Sequence, residues 1–372
     1  MIFDRLFSPA AVLFAILLGI ILVVPASSAV TLSFDYSLDT GNFFASGSEA
    51  WASHEAAGDF FEHILLDDLD AITPSGINTW EARFTNPSTG VDYVESDLYV
   101  PADTMIIYVG SRNLDGTTLG QGGPGGYWSY GSTSWNDTVS TRGEGVTQNP
   151  GATDFGPWGG ALSLDSDSTW HYNHQTTPSF GENDLYSVIL HELGHVLGIG
   201  TAHSWNNLIA GGEFTGTESV DEYGGNVPLS GSAHWNYSTM SGTFPADASQ
   251  EAAMDPDITQ GTRKVMTYLD VAGLDDLGWD VSPPFPGDAN GDWSVDVIDL
   301  GALATNYGTI GGAVWGDGDF SDDGNVDVVD LGLLATNYGT TAAAQAVPEP
   351  STLAGLLGLW LAGLMVSLRR RR

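Results

Sequence analysis

A chain of 372 residues with 47 acidic against 10 basic side chains carries a formal net charge of −37, which excludes nucleic acid as a partner, since phosphate neutralisation needs lysine and arginine. Its 42% hydrophobic content suffices for folded domains, and its length accommodates two of ordinary size. The absence of cysteine excludes disulfides, thiol catalysis and thiolate-held metal, so any ion must be bound by imidazole, carboxylate or carbonyl oxygen.

Arg5, the apolar run 10–24 and the small residues Ser27-Ser28-Ala29 predict a secretory signal peptide over residues 1–29. A first folded unit spans 30–281. Apolar spacing at Trp51, Phe60, Phe61, Ile64 and Leu65 predicts a helix over 50–69, while 98–100 and 105–109 read as strands. The segment 116–157, dominated by Gly, Ser, Thr and Pro, reads as a long loop-rich excursion. A buried helix follows over 184–197, with Asn183 as its N-cap.

That helix carries His191-Glu192-Leu193-Gly194-His195. The histidines are i and i+4, so both imidazoles project from one face toward a single ion, and zinc suits such a nitrogen pair. Glu192 lies further round, placed to act as general base on a water at the zinc without binding the metal. Apolar Val188, Ile189, Leu190, Val196 and Leu197 bury the helix, and a buried histidine pair needs a partner.

With Gly198 three residues after His195, the segment resembles the metzincin clan of zinc endopeptidases. The resemblance implies an α+β catalytic domain: a twisted mixed sheet, the zinc helix and a C-terminal helix. The clan's usual third histidine would fall at Thr201, so the third zinc ligand lies elsewhere. His234, in Gly231-Ser232-Ala233-His234-Trp235, resembles the distant ligand of the leishmanolysin-like branch; His203 is the alternative, and Glu213 or Glu222 a carboxylate substitute. Ala253-Met254-Asp255-Pro256 resembles the Met-turn, with Met266 a competing position for its methionine. Residues 158–170 resemble the matrixin-like edge strand that holds a protein or peptide substrate by strand addition.

Ser282-Pro283-Pro284-Phe285-Pro286 opens a stiff linker over 282–287. Beyond it, in 288–340, the sequence from Asp299 to Thr309 recurs from Asp330 to Thr340, a period of 31 residues. Before each copy, oxygen-bearing side chains stand at EF-hand loop positions: Asp288, Asn290, Asp292, Ser294, Asp296 and Asp299, then Asp319, Ser321, Asp323, Asn325, Asp327 and Asp330. The sixth position is Gly324 in the second loop but Trp293 in the first. Aspartate at position twelve and one helix after each loop resemble a type I dockerin, implying a small α-helical module, two calcium ions and either a cohesin-like partner or a purely structural calcium clamp.

After an Ala-rich spacer, 341–346, the segment 347–372 holds Pro348-Glu349-Pro350, the apolar run 353–368 and Arg369 to Arg372. This order resembles the PEP-CTERM sorting signal, which implies transient membrane anchoring by the apolar helix, processing by an exosortase-type enzyme and release at the surface or outside of a Gram-negative-type bacterium. The leading expectation is an exported zinc endopeptidase; the rival is a non-enzymatic surface or matrix protein that uses the same scaffold and repeats for binding.

Overall fold

The computed structural model describes residues 30–341. The signal peptide, the remainder of the spacer, and the sorting signal with Pro348, Glu349 and Pro350 lie outside the described residues. Three parallel strands, β1 (Thr31–Asp35), β4 (Thr104–Arg112) and β7 (Gly159–Asp165), form a mixed sheet with β5 (Gly120–Pro124) in the order β1-β4-β7-β5. Only β5 runs antiparallel to its neighbour, and it forms one edge of the sheet. Along β7 the side chains alternate: Leu162 and Leu164 join the main core, while Ala161 packs toward a second cluster on the other face.

On the first face lie α1 (Glu49–Ile64) and α3 (Leu185–Val196), which pack against each other. Ser48 caps α1 by accepting the Trp51 N–H, and Ala57, Phe61 and Ile64 are buried on one side of it. Full burial of a side chain such as Phe61 contributes about 1.5–3 kcal/mol. The helix ends at Ile64, short of the expected residue 69, because Leu65 turns extended and bridges Val281.

The opposite face is covered by an antiparallel sheet of β3 (Asp92–Ser96), β2 (Thr79–Thr85) and β6 (Gly126–Tyr130), followed by α2 (Thr133–Thr141). Trp80, Phe84, Tyr108 and Trp158 form the core between the two sheets. Two expectations change here. Segment 98–100 is not a strand; only Val100 pairs, in an isolated bridge to Ile72. The segment 116–157 is not one loop, since it supplies β5, β6 and α2, and Gly120 and Gly122 of β5 admit a neighbouring helix rather than a turn.

After α3 the chain reverses through Gly198 and Gly200, whose φ of +110° and +75° only glycine adopts readily. Short helices α4 (His203–Asn207) and α5 (Thr217–Tyr223) flank a small sheet that includes Val227–Ser230 and His234–Trp235. The helix α6 (Tyr268–Asp276) closes the core, opened by a Thr267–Asp270 capping box.

The repeats fold as two loops, each followed by one helix, α7 (Val297–Asn306) and α8 (Val328–Asn337), around Ala289, Val295, Leu303, Phe320, Val326 and Leu334. They rest on the first unit. The Trp293 ring stacks on His63 at 4.6 Å and 11°, and the Gly316 N–H donates to the Ala246 carbonyl at 3.1 Å. Trp293 reaches that position with φ +64°, the left-handed conformation that Gly324 adopts in the second loop at +79°.

Candidate metal centre

The helix α3 is pinned at its first turn. Asp184, not the expected Asn183, is the cap: its carboxylate accepts the Ser187 N–H at 3.2 Å and hydroxyl at 2.6 Å, and pairs with Arg263 at 2.6 Å. Asn183 pairs instead with Trp170 in a short parallel ladder. Arg263 and Lys264 thereby tie the helix start to the segment after Met254, since the Lys264 N–H also donates to the Ser187 hydroxyl at 2.8 Å.

One turn further on, His191 and His195 face the same space, and His234 arrives from its short strand to join them. The His195 Nε2 lies 3.1 Å from Nε2 of both His191 and His234. The Nδ1–H of His191 donates to the Ala253 carbonyl and that of His195 to the Ile199 carbonyl, each at 2.8 Å. Those bonds fix the tautomer and turn the Nε2 lone pairs inward. Burial, with the neighbouring imidazoles adding to it, holds His191 well below its usual pKa and His195 down at about 4; burial also lowers His234. All three imidazoles are therefore neutral and ligand-competent at neutral pH. Three convergent imidazole nitrogens at this separation fit a zinc ion bound at about 2.0–2.1 Å with one position left open.

His234 is placed by its neighbour. Trp235 is fully buried, its backbone N–H donates to the Met254 carbonyl at 3.1 Å, and its ring N–H donates to Asp270 at 2.9 Å. The same Asp270 carboxylate accepts the backbone N–H of Ala253 at 2.8 Å, of Met254 at 3.1 Å and of Thr267 at 2.8 Å. Asp270 thus joins the Met254 turn, the third histidine's strand and α6 in one buried hub. Its location was visible in the sequence, but not this role. Met254 lies beneath the zinc-type helix, where a Cβ on Gly194 would meet its Sδ at 2.5 Å. Met266 is buried as well, and its carbonyl accepts the Phe244 N–H.

The other candidate ligands stand apart from the three histidines. His203 is exposed on α4, with Nδ1 3.2 Å from the Asn149 side chain. Exposed Glu213 accepts from Asn226 and exposed Glu222 from Ser241. Thr201, the departure from the usual histidine pattern, caps the end of the helix: its hydroxyl donates to the His195 carbonyl at 2.7 Å.

Glu192 sits in the floor of a cleft of about 910 Å³ that also exposes the three histidines. Burial pushes its carboxyl up to about 8, against the pull of a Gly122 N–H. A dication beside it would draw the value back down and leave a carboxylate able to take a proton. Above Glu192 passes β5, and its glycines make the approach possible. A Cβ on Gly120 would lie 2.6 Å from the Glu192 carboxyl, and one on Gly122 would lie 2.2 Å from the Glu192 carbonyl. This corrects the expected edge strand. The strand within 158–170 is β7, which is internal, and the free edge over the cleft belongs to β5. The alternation Gly120-x-Gly122 was the available signal.

In the repeat loops, the first and last aspartates are buried and hold backbone N–H groups. Asp288 accepts Trp293 at 2.7 Å and Asp299 accepts Ala289 at 2.9 Å; Asp319 accepts Gly324 at 2.7 Å and Asp330 accepts Ser321 at 3.0 Å. Asn290, Asp292 and Asp323 are exposed, and Ser294, Asp296, Ser321, Asn325 and Asp327 half-buried. Among the described residues, neither loop brings three carboxylates within 4.8 Å of one another.

Residues 129–210 match the family model of matrixins, peptidase family M10. The match covers His191, Glu192 and His195 and stops short of His234 and Met254. It implies a zinc metallopeptidase, a hydrolase, and the three histidines supply the donor set that such a matrixin-type segment requires. No curated protein and no solved structure matches the chain.

Proposed function

We propose that the chain is an exported zinc endopeptidase in which His191, His195 and His234 hold the metal and Glu192 is the general base. The observation that carries this reading is His195 Nε2 lying 3.1 Å from the Nε2 of both His191 and His234, beside a buried Glu192 beneath a free strand edge. Zinc, when bound, supplies Lewis acidity toward a water and the scissile carbonyl. The free edge of β5 offers its backbone groups to an extended peptide and sets the scissile bond over the histidines. Glu192 takes the proton from the attacking water and hands it to the leaving amine. Glycine at 120 and 122 keeps that carboxyl within reach of the bound strand. Glu192→Gln should retain zinc and lose about 10²–10⁴-fold in kcat on an unstructured protein. Equal hydrolysis by both forms would end this reading.

The remaining parts extend the proposal. The two loops each take a calcium ion, Asp288 to Asp299 forming one and Asp319 to Asp330 the other, and the burial of their terminal aspartates supports it. The repeats offer a docking surface for a cohesin-like protein. The N-terminal segment directs export, and the terminal Pro348-Glu349-Pro350, apolar run and arginines direct sorting at a bacterial surface.

A further inference from the structure

The charge on the far side of β5 points to a substrate class. Five basic residues lie between positions 30 and 341, and four of them are answered within the fold. Arg83 pairs with Glu81 at 2.6 Å, Arg263 with Asp184 at 2.6 Å, and Lys264 with Asp255 at 2.6 Å. Arg142 is fully buried and donates to the carbonyls of Asp70, Pro101, Thr104 and Pro157. Arg112, at the end of β4, is different. Among the described residues it meets no carboxylate within ion-pair distance. Its Nη2 donates to the Gln121 side chain, and its buried Nε has no partner. Such a group leaves part of its hydrogen-bonding capacity unused, in a protein whose acidic residues outnumber its basic ones almost five to one.

Arg112 lines a pocket of about 520 Å³, with Arg83 and Tyr93 on the facing sheet and Gln121 and Gly123 on β5. The guanidinium lies over Gly90, φ +71°, where any Cβ would stand 2.9 Å from its Nη1. The pocket shares Gln121 and Gly122 with the histidine-lined cleft, so the two flank one strand. Register assigns them to opposite faces. Gly120 and Gly122 pair with Leu164 and Leu162 of the helix-facing core, while Gln121 and Gly123 pair with Ser163 and Ala161, which line the Arg112 pocket. A peptide added to the free edge of β5 must alternate in the same way, sending every second side chain toward the histidines and the others toward Arg112.

We propose that the Arg112 pocket is a second specificity subsite, which selects aspartate or glutamate in the substrate at a position whose side chain points away from the zinc-type cleft. The inference rests on the peptidase reading above. A carboxylate there would accept charge-assisted bonds from Nη1 of Arg112 and from the Nη2 hydrogen that Gln121 leaves free, while the buried Nε stays out of its reach. Arg83 lines the same pocket but is paired with Glu81, and Asp92 lines it as well, so Arg112 is the cation left to meet a substrate carboxylate.

The test uses the full chain with zinc and matched internally quenched peptides. In each set, one residue from the third before to the third after the scissile bond is Glu, Gln or Lys. Wild type should favour Glu over Gln by about tenfold at one such position, the size expected of a partly exposed charge-assisted bond. In Arg112→Ala that ratio should fall to about one, and in Arg112→Glu the preference should pass to Lys. Arg112→Lys, which keeps the charge but not the fork, should retain part of the ratio and covers the case in which the alanine variant does not fold. A wild-type ratio near one at every position, or a Glu preference that survives in Arg112→Ala, overturns the subsite. Wild type that holds zinc yet cleaves none of the peptides overturns the peptidase reading, and the subsite with it.

Discussion

Two places in the described molecule gather three ligand-type side chains within 4.8 Å, and they use that proximity in opposite ways. At His191, His195 and His234 the side chains are neutral, the Nδ1–H groups of His191 and His195 are spent on carbonyls, and no cation of the protein enters. At Glu251, Asp255 and Asp257 the protein supplies its own cation. The Lys264 ammonium donates to Asp255 at 2.6 Å, to the Asp257 carbonyl at 2.9 Å and lies 3.1 Å from Glu251, which uses its three hydrogens. Clustering alone therefore does not make a metal site. What distinguishes the first is that its donors converge on space the chain does not fill, next to a buried carboxylate and a free strand edge.

A third place shows the result when carboxylates gather without either remedy. Asp67 is buried near Glu144 and Asp280; burial and then those charges push it up to about 8. Glu144 is raised to about 7 for the same reasons.

The largest effect expected from breaking this contrast is on the metal. His234→Ala should abolish stoichiometric zinc in metal analysis of the purified protein; one equivalent of tightly held zinc in that variant would remove His234 from the set. Next comes Lys264→Met, which leaves Asp255 and Glu251 without their cation. Removing one partner of a buried pair costs about 3–5 kcal/mol, and denaturant unfolding reads it directly. A change below about 1 kcal/mol would mean that Lys264 is not the counterion that neutralises this cluster.

Asp67→Asn should give a smaller, pH-dependent gain. With a folded-state pKa of about 8 against 3.8, the wild-type stability from protonated Asp67 is complete below pH 3.8 and is lost as pH rises through about 8. The asparagine variant should match wild type near pH 4 and melt about 2–4 °C higher at pH 9 for each kcal/mol relieved. A gap of constant size across that range would refute the assignment. The smallest effect is His203→Ala, which should leave zinc content untouched and stability within about 0.5 kcal/mol. Loss of zinc in that variant would reverse the choice of third ligand.

The helix holding His191 and His195 was readable because its signals are local: i and i+4 spacing, a run of apolar residues and a glycine stop. Its cap was misread by one residue, since Asp184 and Asn183 are both good caps and only the ion pair with Arg263 separates them. The glycine-rich stretch was harder. Gly120 and Gly122 read as loop because glycine usually marks a turn, whereas here it lets a strand lie against Glu192. Trp293 stood out in the sequence as a misfit in a glycine position. Its stacking on His63 was out of view, because 230 residues of chain separate the two.

What the sequence by itself determined is the chemistry available: imidazoles on one helix face, a carboxylate beside them, no thiol, and too few cations for a nucleic acid. Helical geometry carries that much without reference to the rest of the chain. Tertiary structure decided which of the distant groups complete or cancel that chemistry. His234, one of the third-ligand candidates the sequence offered, comes in on a strand anchored by Trp235 to Asp270, Lys264 fills the acidic cluster, and Arg112 is left without a carboxylate partner beside β5. Each of those outcomes depends on burial and on contacts closed across the core, which residue spacing does not encode.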